Sequence, residues 1–249
     1  MAARAEIITI LEIYLHLPDI AALHRSHLEA VIVDLDGTMI DTLGDFVVAL
    51  NCMLDELALP AITADAIGQM IGKGSEHLIR SVLQRVRGDR EADAALFDAA
   101  WPRYVHHYLA INGQHASIYP GVVEGLAGLR ARGLRLACLT NKPIAFARPL
   151  LAAKGLEGYF EHLFGGEAFE RKKPDPLPLL KTCEALGSAP ARTLMIGDSS
   201  NDAKAARAAG CPVVLVSYGY NHGQPVREVD ADGFVDSLAE LDRVLGSGR

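Results

Sequence analysis

The sequence has no C-x-x-C pair, and its four cysteines, Cys52, Cys138, Cys183 and Cys211, are scattered along 249 residues. That scatter excludes a zinc ribbon and gives no disulfide frame, so the four read as small apolar fillers in a reducing compartment, the cytoplasm. The nine histidines are dispersed as well, and none has metal-ligand spacing to a cysteine. His106 and His107 are adjacent and would face different sides of a helix. A basic excess is also missing: Lys and Arg total 24 against 31 Asp and Glu, a net charge of -7. This excludes the positive face of an ordinary nucleic-acid binder. No apolar run reaches membrane-spanning length. Residues 7–17 (IITILEIYLHL) come nearest, but Glu12 breaks them, Pro18 ends them, and the pattern of a secretory signal is lacking. Repeats and low-complexity tracts are absent.

Material for a core is ample. Half of the residues are hydrophobic and 22% are charged, which excludes disorder and suits one large domain or two modest ones. An acidic chain that handles an anionic substrate must gather positive charge locally. A metal, a few basic side chains or backbone N–H groups are the available means.

The first strand signal is the β-branched run at 30–35 (AVIVDL). Residues 1–26 before it are expected to form an N-terminal extension. From residue 119 strands and helices alternate. Strands are expected near 134–139, 162–164, 193–196, 212–216 and 233–235, with helices ending at Gly133, Gly155 and Gly210. This rhythm predicts an α/β fold with a doubly wound parallel sheet, a Rossmann-like core over 27–44 and 117–249. Residues 45–116 break the rhythm with helical periodicity throughout. They are too long for a single crossover, so an inserted all-helical subdomain is expected there. It would leave from the end of the first strand, where ligands of open parallel sheets bind.

Four clusters fall at predicted strand ends or in loops. Asp34-Leu35-Asp36-Gly37-Thr38 places carboxylates at i and i+2, which an extended strand end would point to one side. An ordinary Asp-Gly turn explains it equally well. Thr140-Asn141-Lys142 offers a hydroxyl, an amide and backbone N–H groups to phosphate oxygens, or is a plain strand exit. Lys173, between Lys172 and Pro174, is either a fixed counter-charge or part of a solvated turn. Gly197-Asp198-Ser199-Ser200-Asn201-Asp202 brings one carboxylate to a strand end and another into a first helical turn, where an acidic N-cap also accounts for it. Their joint order decides. Asp34, Asp36 and Asp198 at one sheet edge would repel unless a cation sat among them. Oxygen-only ligands suit Mg²⁺, and one carboxylate would then be free to act as a nucleophile toward phosphorus.

D-L-D-G-T, Thr140, Lys173 before proline and G-D-S-S-N-D together resemble the four motifs of the haloacid dehalogenase-like superfamily. The helical insertion resembles that superfamily's cap. The resemblance spans residues 28–240 and implies roles residue by residue. Asp34 would attack the phosphoryl group and form an aspartyl-phosphate. Asp36 would protonate the leaving group and then activate water, with a neighbouring negative group keeping it protonated. Asp34, the main-chain carbonyl of Asp36, and Asp198 would hold Mg²⁺. Thr140, Asn141 and Lys173 would hold phosphoryl oxygens, and Asp202 would orient Lys173 or a metal-bound water. Asp36 also speaks against carbon–halogen chemistry, because the true dehalogenases lack that second Asp.

A narrower resemblance, to the bacterial phosphoglycolate phosphatases, rests on Leu139 to Pro143 (LTNKP), DAKAARAAG at 202–210, SYGYNHG at 217–223 and the insertion residues Ile71, Gly72, Lys73 and Gly74. It implies a small phosphorylated metabolite, 2-phosphoglycolate, as substrate, with Gly72, Lys73 and Gly74 receiving its carboxylate. The rival readings are a phosphatase or phosphomutase for another small sugar phosphate, and a non-catalytic binding protein on the same scaffold. Two other patterns carry no function. Gly68 to Gly74 lacks the spacing and the Ser/Thr of a nucleotide loop, and Arg80, Arg85, Arg87 and Arg90 read as a solvated helix end.

Overall fold

The computed structural model describes residues 27–88, 94–241 and 245. The expected N-terminal extension, 1–26, lies outside the described residues. Six strands form one sheet: β1 (Ala30–Val33), β4 (Arg135–Leu139), β5 (His162–Phe164), β6 (Thr193–Gly197), β7 (Val213–Val216) and β8 (Gly233–Val235). Their order is β5-β4-β1-β6-β7-β8, and every neighbouring pair is parallel.

The runs of Val, Ile and Leu explain this arrangement. In β1, Val31 and Val33 enter an apolar cluster on one face of the sheet while Ala30 and Ile32 enter another on the opposite face. Helices α5 (Val122–Ala131) and α6 (Ile144–Ala153) cover the first face with Leu126, Leu129, Leu150 and Leu151. Helices α7 (Leu177–Leu186) and α8 (Ser200–Ala209) cover the second with Leu179, Cys183, Ala203 and Ala206. Strands buried on both faces show as continuous apolar runs, which is why they were legible. From β1 the chain moves to β4 on one side and later to β6 on the other, so the topological switch falls between β1 and β6. The crevice at their carboxyl ends is where a ligand belongs in such a sheet.

Between β1 and β4 lie helices α1 (Leu43–Glu56), α2 (Ala64–Gly68), α3 (Ser75–Val86) and α4 (Ala94–Ile111). They enclose a separate apolar cluster built on Leu50, Met53, Ile79, Leu83, Tyr104 and Tyr108, onto which Phe146 of α6 also packs. The first helix begins at Leu43, two residues ahead of the expected boundary. Two short strands absent from the sequence reading, β2 (Ile40–Asp41) and β3 (Ser117–Ile118), pair antiparallel where the chain leaves for these helices and returns. With two residues each, they carry no alternation to read. The buried carboxylate of Asp45 ties the same crossing, accepting N–H bonds from Gly113 at 2.6 Å and His115 at 2.8 Å. No described helix is long and apolar enough to cross a membrane.

Candidate active site

The switch point places Asp34 directly after β1 and Asp198 directly after β6, its neighbour. The Asp34 N–H continues the pairing by donating to Ile196 O at 2.9 Å. Lys173 arrives from the loop before α7. Its Nζ stands 3.0 Å from Asp34 Oδ1 and 2.7 Å from Asp202 Oδ1, and donates to Leu139 O at 3.0 Å. Asp202, in the first turn of α8, accepts through Oδ2 from the N–H groups of Asp198 and Ser199 and from the Ser199 hydroxyl. Asp34, Asp198 and Asp202 each bring a carboxylate oxygen within 4.8 Å of the others.

Burial dominates the electrostatics of this cluster. It pushes the Asp34 carboxyl up to about 7, aided by Asp202 and opposed by Lys173. Asp198 is held well above the usual carboxylate range, first by burial and then by Asp202 and Asp34. For Lys173, burial pulls the ammonium down, but Asp202 and Asp34 outweigh it and leave its pKa above the ordinary lysine value. Asp34 Oδ1 faces Lys173 as an ion pair without hydrogen-bond geometry and has no other donor. Buried carboxylates crowded together, one with an unsatisfied oxygen, fit a hard divalent cation with oxygen ligands. The Gly37 turn abuts this point. A Cβ there would lie 2.3 Å from Asp198 Oδ2, and the residue sits at φ +82°, so only glycine lets the Asp36–Gly37 backbone come this close.

The third carboxylate of the cluster is Asp202 where the sequence pointed to Asp36. Asp36 lies three residues beyond Val33, the last residue of β1, past the reach of strand alternation. Its Oδ1 accepts from Thr42 Oγ1 at 2.8 Å and Lys142 Nζ at 2.9 Å, while Oδ2 is 3.2 Å from the same Nζ. Its nearest charged neighbour is therefore a lysine, where the resemblance led to the expectation of an anion.

Asp34 and Asp36 open onto one pocket, whose wall also includes Phe46, Gly72, Gly74, Ser75, Thr140 and Lys142. Thr140 is buried there, its Oγ1 accepting the Lys142 N–H at 3.1 Å. The Asn141 side chain is fully committed elsewhere. Oδ1 accepts Lys173 N–H, and Nδ2 donates to Lys173 O and to Gly72 O. Only its main chain remains for a phosphate. Asn201 Nδ2 also donates to Gly72 O, at 3.2 Å, so two core amides clasp one carbonyl of the helical insertion. Gly72 and Gly74 line the pocket while Lys73 is exposed beside them. Of the three residues expected to receive a carboxylate, the two glycines thus line the cavity, together with Ser75 at the N-terminus of α3.

Three groups at the site were missed. Lys142 has no role in the expectations drawn from the sequence, although a lysine directly after Thr-Asn at a strand end is a usable signal. Phe46 falls within the helical periodicity of 45–116, with nothing in the sequence to single it out. Tyr220 donates its N–H to Asp198 Oδ2 at 2.7 Å and its hydroxyl to Asp41 Oδ1 at 2.8 Å, linking the cluster to the start of the insertion.

This chain is similar to known proteins in both sequence and fold. The family model of haloacid dehalogenase-like hydrolases matches residues 31–216. A phosphoglycolate phosphatase of Thiobacillus denitrificans is 48% identical over 217 residues, 86% of this chain and 93% of that protein. A plasmid-borne phosphoglycolate phosphatase of Cupriavidus necator is 44% identical, covering 88% of this chain and 94% of its own length. The crystal structure of a predicted phosphoglycolate phosphatase from Haemophilus somnus superposes with a TM-score of 0.85. It is 30% identical and covers 89% of this chain and 100% of the other.

Proposed function

Because the chain belongs to the haloacid dehalogenase-like hydrolase family, we propose that it hydrolyses 2-phosphoglycolate to glycolate and phosphate, with Mg²⁺, through a phosphoryl group carried on Asp34. That it is a phosphoric monoester hydrolase follows from the family and from its phosphatase relatives. The observation that carries the finer reading is the pairing of Asp34 with Lys173 beside Asp198, with Asp34 on the wall of a pocket that Gly74 and Ser75, at the N-terminus of α3, also line.

In this reading Asp34 Oδ attacks phosphorus while the alkoxide of glycolate leaves and takes a proton from Asp36. Water, deprotonated by Asp36, then attacks the phosphorus and frees the Asp34 carboxylate and inorganic phosphate. Lys173 and Thr140 offset the charge on the phosphoryl oxygens, together with the Asn141 main-chain N–H. Asp202 fixes Lys173. Asp34, Asp198 and the Asp36 carbonyl would hold Mg²⁺, which neutralises charge on the phosphoryl group when bound. The substrate carboxylate finds the first-turn N–H groups of α3 at Gly74 and Ser75, where the helix dipole favours an anion. We assign residues 45–116 to a cap over a core of 27–44 and 117–249, and place the protein in the cytoplasm, which suits its four free cysteines.

Release of inorganic phosphate from a panel of esters, with Mg²⁺ and with a chelator, tests this. The reading requires 2-phosphoglycolate to give the highest kcat/KM and the chelator to abolish turnover. Preference for a sugar phosphate, or activity without metal, contradicts it.

A further inference from the structure

Lys142 has no role in the chemistry above, yet its side chain is completely buried. An ammonium group taken out of water is costly unless it is closely partnered. Its partners come from both parts of the molecule. The core supplies Asp36, with Oδ1 at 2.9 Å and Oδ2 at 3.2 Å from Nζ. The helical insertion supplies two ring faces, Phe46 of α1 with its centroid 4.4 Å from Nζ and Tyr108 of α4 at 4.8 Å. The rings are themselves in contact, with centroids 5.5 Å apart, and Phe46 also lines the pocket.

We propose that Lys142 is a positioning residue for Asp36, and that the Phe46–Tyr108 pair makes this positioning depend on the docking of the helical insertion. The inference rests on the reading of Asp36 as the acid that protonates the leaving group. Lys142 and Thr42 both donate to Oδ1, which fixes the carboxyl plane and leaves Oδ2 the less engaged oxygen. A cation held between aromatic faces and a carboxylate has one favourable position. When the insertion is seated, Lys142 is held there and so is Asp36. When the insertion lifts, Phe46 and Tyr108 leave with it and the lysine loses one side of its enclosure. Proton delivery is thereby confined to the closed site.

The test is the leaving-group dependence of Lys142→Met, which keeps the apolar stem against the rings. Wild type, Lys142→Met and Asp36→Asn are compared as full-length proteins with Mg²⁺ on p-nitrophenyl phosphate, ethyl phosphate and 2-phosphoglycolate. A poor leaving group needs the proton and p-nitrophenolate does not. Because the water step that also uses Asp36 is common to all three esters, the readout is kcat/KM, which reports only the steps through departure of the leaving group. General-acid assistance is typically worth ~100-fold or more, so Lys142→Met should lower kcat/KM on both alkyl esters roughly 30-fold while changing that on p-nitrophenyl phosphate little. Phe46→Leu leaves both charged groups in place and should show the same selectivity at roughly a third of that size or less; it serves as well if Lys142→Met fails to fold. Equal losses on all three esters would reduce Lys142 to a structural role and overturn the proposal. Loss confined to 2-phosphoglycolate with a raised KM would make Lys142 a carboxylate ligand and overturn it too. A Phe46→Leu without selectivity removes the coupling to the insertion. If Asp36→Asn itself shows no leaving-group dependence, the reading of Asp36 fails and this inference falls with it. A wild type inactive on 2-phosphoglycolate but active on the other two esters sinks only the substrate assignment.

Discussion

Asp34, Asp198 and Asp202 form a buried acidic cluster against one buried lysine, and a second buried lysine serves Asp36. Among the described residues no other lysine is buried. An acidic chain has concentrated its interior positive charge where an anion must be met. Most of these groups were legible because they sit at strand ends or in a short loop, in a fixed order. The environment of Asp36 was not, since Lys142 and the Phe46 and Tyr108 rings that enclose this lysine come from three separate elements and no local pattern links them. The Gly72–Gly74 loop was legible as a candidate carboxylate site; in the structure its two glycines line the pocket and Lys73 is exposed, and the N–H groups of a helix start have no letter of their own. This separates two substitutions. Lys73→Ala removes only an exposed, salt-screened charge and should change kcat/KM on 2-phosphoglycolate by less than about threefold. Gly74→Ala is strained at φ +89° and sets a Cβ 2.9 Å from Asn141 O. It should cost roughly tenfold or more in kcat/KM by displacing the pocket wall. Steady-state kinetics of both variants decides, and the reverse ranking would return the role to the lysine.

At the scale of elements, the hinge of the insertion is held by backbone pairing too short to be read and by one buried side chain. Asp45 bonds Gly113 and His115 across almost seventy residues of sequence. In the sequence it is only an acidic residue in a first helical turn, a place where Asp is common for reasons of capping and dipole. Its burial depends on where the chain returns, which only the fold decides. Asp45→Ala would leave two backbone N–H groups without an acceptor, at about 1–3 kcal/mol each. A loss of about 2–4 kcal/mol in urea denaturation is expected, with β1 and its neighbours still folded by far-ultraviolet circular dichroism. A change below about 0.5 kcal/mol would show that the crossing does not need this tie. The parallel strands, by contrast, were legible because burial on both faces demands runs of Val, Ile and Leu.

At the scale of the molecule, stability, metal and charge are linked. The Asp34 pKa rises from 3.8 to about 7 in the folded chain, chiefly by burial, and Asp198 shifts the same way. The native state therefore holds protons that the unfolded chain has released. Stability from these groups is present below the unfolded value and is lost as pH rises through the folded one. Cation binding needs the ionised carboxylates and so works against that loss. The rise in melting temperature on adding Mg²⁺ should therefore grow from about pH 5 to about pH 8, and Asp34→Asn should blunt it. A Mg²⁺ effect independent of pH would place the ion elsewhere.

The central claim is that Asp34 carries the phosphoryl group of 2-phosphoglycolate. Mixing the protein with Mg²⁺ and phosphate-labelled 2-phosphoglycolate, quenching in acid within the first turnovers and mapping the label by peptide mass tests it directly. The account predicts a hydroxylamine-labile phosphoryl group on the peptide containing Asp34, absent from Asp34→Asn, which should also release no phosphate. Full turnover by Asp34→Asn, or label on any other residue, would contradict it.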